Sequence, residues 1–165
     1  MNIKLNVKKG IGVLWIITLG FILFPLNVHA AERSEKLVKE SLLTDLKEVE
    51  DTTYSLTRGN ILNKGTAKCV NAGDGKVTAA GVVVAHQICD ELYLTLSLDK
   101  YDESIKDWYT YKTWEVSEVN ASMLLKSFDT EVDKGYYYRV RGVHSAEKGE
   151  IYESVETCTD GILIK

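Results

Sequence analysis

Residues 92–98 read Leu-Tyr-Leu-Thr-Leu-Ser-Leu. Successive side chains of a strand point to opposite faces, so Leu92, Leu94, Leu96 and Leu98 share one face and Tyr93, Thr95 and Ser97 the other. That is the texture of a strand with one dry side and one wet side. Similar runs recur along the chain. "WYTYKTWEVSE" (108–118) is rich in aromatic residues and threonine, and "ASMLLKSFDTEV" (121–132) predicts a further strand. The stretch before them, "ILNKGTAKCVNAGDGKVTAAGVVVAHQIC", carries turn signals at Asn63-Lys64-Gly65 and at Gly73-Asp74-Gly75. "DKYDESIKD" (99–107) reads as a polar loop, and "EIYESVETCTDGILI" (150–164) closes the chain. Short strands spaced by turns predict an all-β fold, an antiparallel immunoglobulin/fibronectin III-like sandwich.

In a seven-strand sandwich "GYYYRVRGVH" (135–144) would be the penultimate strand. Tyr136, Tyr138, Val140 and Gly142 share one parity and are expected to face the core. Tyr137, Arg139, Arg141 and Val143 share the other. Tyr136, at the strand's start after a glycine, resembles the tyrosine of a tyrosine corner, whose hydroxyl bonds back to nearby backbone.

The ends of the chain read differently. Lys4, Lys8 and Lys9 precede the apolar run Ile11 to Phe24, and Pro25 and Val28-His29-Ala30 follow. This pattern predicts a secretory signal peptide over 1–30, cleaved after Ala30. The alternative is an uncleaved leader that anchors the chain in a membrane; with cleavage, no stable membrane insertion is expected. Residues 31–57 form an N-terminal helical segment in this reading. Val38, Leu42, Leu46 and Val49 recur at helical spacing within 32–51, and Leu37 and Leu43 widen the face. The β domain then occupies 58–165.

Charge narrows the partners. Without the three leader lysines, 17 basic residues remain against 24 acids, a formal charge of −7. With no basic run, such a chain repels nucleic acid. Cys69, Cys89 and Cys158 all lie beyond the leader, where a disulfide is permitted. Their spacing selects no pair, and an odd count leaves one thiol over. Zinc would need more ligands than these and the two histidines His86 and His144, so neither metal nor cofactor is expected.

The spaced elements "RGNIL", "GDGKV", "CDELYLTLSL", "DWYTYKTW", "GYYYRVRGVH" and "ESVETCTDGI" cover most of residues 58–164. Together they resemble a family of small secreted proteins of Gram-positive bacteria, a domain of unknown function. "YYYRVRGVHSA" also resembles the matching strand of fibronectin type III domains. The resemblance implies secretion and a small β domain; it implies no activity and assigns no site residue.

Three groups of residues invite a chemical reading. His86, Cys89 and Asp90 lie close in sequence, as a thiolate nucleophile and its base would. Asp99, Asp102, Glu103 and Asp107 gather oxygens in one stretch, but their spacing fits no EF-hand. Carboxylates could also serve glycoside hydrolysis, although nothing selects a pair. The third group is a surface: Tyr93 and Tyr137 on the wet face beside Arg139 and Arg141, joined by Tyr109 and Tyr111. Tyrosine and arginine are common anchors of recognition sites, and tyrosine rings stack on sugars. The expected function is a secreted, non-catalytic module binding an extracellular glycan, cell wall or protein. The alternative is a small secreted enzyme or toxin-like effector using the Cys/His or carboxylate groups.

Overall fold

The computed structural model describes residues 41–55 and 60–165. Eight strands account for most of them: β1 (Leu43–Thr44), β2 (Glu48–Tyr54), β3 (Leu62–Gly73), β4 (Lys76–Asp102), β5 (Asp107–Glu131), β6 (Tyr136–Lys148), β7 (Ile151–Cys158) and β8 (Gly161–Ile164). The fold is all-β, with no helix among the described residues.

All eight strands are hydrogen-bonded into one sheet, and β4 is its spine. β5 pairs with β4 along one edge, on both sides of a break in register. The other edge is shared: β3 takes residues 76–85 and β6 takes 91–100. Between those segments the β4–β5 register slips from Val84 to Cys89, a bulge that bends the spine. β3 and β6 would lie end to end beside a straight β4; beside the bent one they face each other. β2 extends the first arm from β3. β7 and β8 extend the second from β6, and β1 runs parallel to β8. Hydrogen bonds join the arms as well. The Glu153 carboxylate on β7 accepts from the backbone N–H groups of Asn60, Ile61 and Leu62, at 2.8, 3.2 and 2.8 Å.

The leucines of 92–98 point inward and are buried, as their alternation requires. They meet Leu62, Ala67, Val77, Ala79 and Val83 of the first arm, and Tyr138, Val140, Ile162 and Ile164 of their own. Each such leucine contributes about 2 kcal/mol by leaving water.

Three expectations change. Residues 99–107 are no long loop, because β4 runs on to Asp102 and a four-residue turn leads directly into β5. The helix expected over 32–51 is absent from its described part. Leu42 and Leu46 are exposed, Val49 alone is buried among the described residues of that face, and 48–54 pair antiparallel with 64–70. The β-branched run Thr52-Thr53 suits that ladder, whose backbone partners outweigh a helical stripe with little to pack on. Residues 32–40, like the leader, lie outside the described residues.

The third change concerns Asn63-Lys64-Gly65, which lies inside β3 and makes no turn. Gly65 is there because another side chain occupies its place. A Cβ built on it would lie 2.3 Å from His144 Cγ. Gly142 closes the far side, with its Cβ position 2.4 Å from His144 Nε2. The expected turn at Gly73-Asp74-Gly75, by contrast, is present, with positive φ at all three residues.

His144 thus sits between the two arms with no exposed surface. Its Nε2 pairs with Thr157 Oγ1 at 2.8 Å, and Nδ1 has no hydrogen-bond partner of ordinary geometry. Burial pushes its pKa down to about 4, opposed only in part by the Val82 carbonyl and the charge of Asp51. An unfolded histidine titrates near 6.5. As pH falls, the unfolded chain therefore takes up the proton first. The stability carried by neutral His144 is intact above about pH 6.5 and is lost by about pH 4, amounting to about 3 kcal/mol. Urea unfolding at pH 7, 5.5 and 4 measures it. A His144→Asn variant should lose visibly less on acidification than the native chain, and an identical slope would refute this assignment.

Candidate functional site

β5, β4 and β6 lie side by side, with β7 and β8 beyond them. The proposed platform residues nevertheless separate. Tyr93 is paired with Ser145, whereas Tyr137 is paired with Leu163. Ser145 and Tyr137 are eight residues apart on β6, about 26 Å at ~3.3 Å per residue. Tyr93 belongs instead to an acidic cluster. Its hydroxyl shares one proton between Glu91 Oε2 at 2.8 Å and Glu147 Oε2 at 3.0 Å, and its ring lies 6.5 Å from that of Tyr152. The bond to Glu91, followed by burial and the bond to Glu147, raises its pKa above the usual phenol range. Bonds from Ser117 and then Tyr93 hold Glu91 below the usual carboxylate range.

Arg139 is buried in an ion pair, and Arg141, though half-exposed, joins the same pair. Both turn onto Asp99, which is 1 % exposed. Arg139 Nε donates to Asp99 Oδ2 at 3.1 Å; Arg141 donates from Nε to Oδ2 at 2.6 Å and from Nη2 to Oδ1 at 3.1 Å. Arg139, expected on the wet face, is only 8 % exposed. Its guanidinium lies 4.5 Å from the centre of the Trp108 ring and bonds Ser41 Oγ at 3.0 Å. The segment leading into β1 therefore helps to cover that face. Asp99 is thus withdrawn from the acidic group to which its sequence position assigned it. Among the described residues, no three His, Cys, Asp or Glu gather as metal ligands would.

The Cys/His group is also divided. His86 is exposed, while Cys89 is buried and its Sγ donates to the Gln87 carbonyl at 3.5 Å. Burial raises the Cys89 pKa despite Lys148 nearby. Cys69, Cys89 and Cys158 all carry free thiols, and burial pushes Cys69 up to about 12.

Tyr109 and Tyr111 part company at a second slip. Leu98 pairs with Lys112 and Asp99 with Thr110, leaving Tyr111 as the extra residue of a bulge. Its ring turns to meet Tyr138 edge-on, with centroids 5.9 Å apart. Tyr109 lines a cavity of about 460 Å³ at the tip of the β4–β5 hairpin. Lys100, Tyr101, Asp102, Glu103, Ser104, Gly135 and Tyr136 complete the lining. The hairpin supplies Lys100 through Ser104 and Tyr109, and the turn into β6 supplies Gly135 and Tyr136.

The chemistry of this cavity is well defined. Lys100 is 7 % exposed; its Nζ lies 3.5 Å from the Tyr136 ring centre and 2.8 Å from Asp133 Oδ2. Burial alone would lower its pKa, but the Asp133 bond and nearby groups outweigh that and raise it. Lys100 is therefore charged and already paired. Asp102 accepts from Ser104 N at 2.8 Å and Ser104 Oγ at 2.6 Å; these bonds fix the turn and hold Asp102 below the usual carboxylate range. Tyr138, not Tyr136, bonds back to backbone, donating to the Asp133 carbonyl at 3.1 Å. Tyr136 is freed from the corner role and is 44 % exposed, as Tyr109 is 43 %. Two open tyrosine rings therefore stand at one small cavity.

Residues 38–162 match a protein family described as a family of unknown function, DUF6147. The chain belongs to the DUF6147 family. No curated protein and no solved structure matches it. The matched span of the DUF6147 domain runs from before β1 into β8. It therefore contains the tyrosine cavity, the Arg139–Asp99–Arg141 group and the His144 slot alike.

Proposed function

We propose that this DUF6147 domain is a secreted, non-catalytic binding module that takes an extracellular glycan in the tyrosine cavity. The observation that carries the reading is the cavity itself. About 460 Å³ lies within the range of small-ligand pockets, ~300–1,000 Å³. Tyr101, Tyr109 and Tyr136 offer rings for a sugar face, and the Asp102, Glu103 and Ser104 side chains offer partners for its hydroxyls. The net acidity of the chain argues against a polyanionic partner. The leader pattern of residues 1–30 supports export. The two arms, facing each other across a common core, support reading the curled sheet as a fibronectin-like sandwich joined through β4 and β5.

Glycan and cell-wall arrays, probed with the native domain and a Tyr109→Ala/Tyr136→Ala variant, test this reading. The variant should lose at least about tenfold in binding; the Tyr109 ring is largely open, and loss of the Tyr136 ring from the Lys100 ammonium should lower the melting temperature by a few degrees, which Tyr136→Ala alone measures separately. Tyr93→Ala should bind as the native domain does. Loss of binding with Tyr93→Ala but not with the cavity variant would move the site to the Glu91/Glu147 cluster and defeat the proposal.

A further inference from the structure

The cavity's charges say more about what it selects. Of the three ionised side chains lining it, Lys100 is withdrawn and neutralised by Asp133 at 2.8 Å. Asp102 and Glu103 remain, and both are carboxylates. The charge facing an incoming ligand is therefore negative. The tyrosine faces have a preference of the same sense, because the negative face of an aromatic ring attracts cations. The cavity already contains one example: the Lys100 ammonium lies 3.5 Å from the centre of the Tyr136 ring. Tyr101 and Tyr109 line the same space, and the Lys100–Asp133 pair leaves no uncompensated positive charge to repel a second cation. Ser104 pins Asp102 through two hydrogen bonds, so this carboxylate is held in place before a ligand arrives.

Resting on the glycan reading above, we propose that the cavity selects a sugar bearing a free, protonated amine, an unacetylated amino sugar. The rings accept the sugar face and the ammonium together, and Asp102 and Glu103 supply the counter-charge. An acetylated nitrogen is neutral and forfeits both attractions. The preference is electrostatic, so salt weakens it.

Glucosamine, N-acetylglucosamine and glucose form a probe series that differs at one ring position. Titration of the full exported domain, followed by NMR shifts of cavity residues, should give glucosamine about tenfold tighter binding than either neutral sugar. Raising the salt should narrow that ratio. In an Asp102→Asn/Glu103→Gln variant with a native spectrum elsewhere, the ratio should collapse to within about twofold. Equal affinities for all three sugars, tighter binding of N-acetylglucosamine, or a ratio that survives the double substitution would overturn the inference. If neutral sugars shift Tyr109 and Tyr136 as strongly as glucosamine, the glycan reading stands and only the amine preference falls. If no sugar shifts them at any concentration, both fall.

Discussion

Gly65→Ala should destabilise the domain by about 3 kcal/mol or more, the upper range for overpacking a core. The added methyl would lie 2.3, 2.4 and 2.6 Å from Cγ, Cδ2 and Cβ of His144. The ring cannot retreat, because Gly142 and Thr157 hold its other edge. The two arms would have to part at the point where β3 meets β6. Thermal unfolding should show a drop of about 10 °C or more. A cycle with His144→Ala separates close packing from any local cost at Gly65. Once the ring is gone, the alanine at 65 should cost at least about 1 kcal/mol less than it does alone. A Gly65→Ala variant within 0.5 °C of the native melting temperature, to order of magnitude, would mean the arms are not packed this way.

Asp99→Ala should cost about 3–5 kcal/mol, because it leaves Arg139 buried without its counter-charge. Arg141 is the smaller part of the loss: its side chain is 44 % exposed and can turn to water, whereas that of Arg139 is 10 % exposed. The expected remedy follows from the same argument. Replacing both buried members, Asp99→Leu with Arg139→Met, removes the orphaned charge and should recover much of the loss. Denaturant midpoints of the three variants decide the matter. A double variant no better than Asp99→Ala would show that the ion pair is favourable in its own right, not merely costly to break.

These two groups show how far the sequence could be read. Alternation alone placed Leu92 to Leu98 in the core, because a two-residue period leaves only one way to bury four leucines. It could not reveal that β4 and β5 each run through both arms. Residues 85–91 and 117–122 look like ends of strands, being polar and irregular, but both strands run on through them, and a bulge of residues 85–88 opposite Ser122 bends the pair. Gly65 misled for a related reason. A glycine after Asn-Lys has the composition of a turn, while its actual cause, the ring of His144, lies 79 positions away in the chain. Arg139 shares its parity with exposed residues and does sit on the outer side of the sheet. Trp108 and Ser41 cover it there, which no local pattern can express. The tyrosines were readable as candidates one at a time. Tyr109 lines the cavity, Tyr93 and Tyr137 lie far apart, and Tyr111, the extra residue of a bulge, meets Tyr138 edge-on while staying exposed. Tyr136 and Lys100 were missed because the cavity is built where two turns meet, and that meeting exists only in the folded chain.

The proposed seat of the ligand is the tip of the β4–β5 hairpin. It is tested most directly by mapping amide shifts of the labelled domain during titration with glucosamine. The largest changes should cluster at Tyr101, Ser104, Tyr109, Gly135 and Tyr136, with little change around Tyr93 and Tyr152. Changes centred on Tyr93, Glu147 and Tyr152, or an unchanged spectrum at saturating sugar, would contradict it.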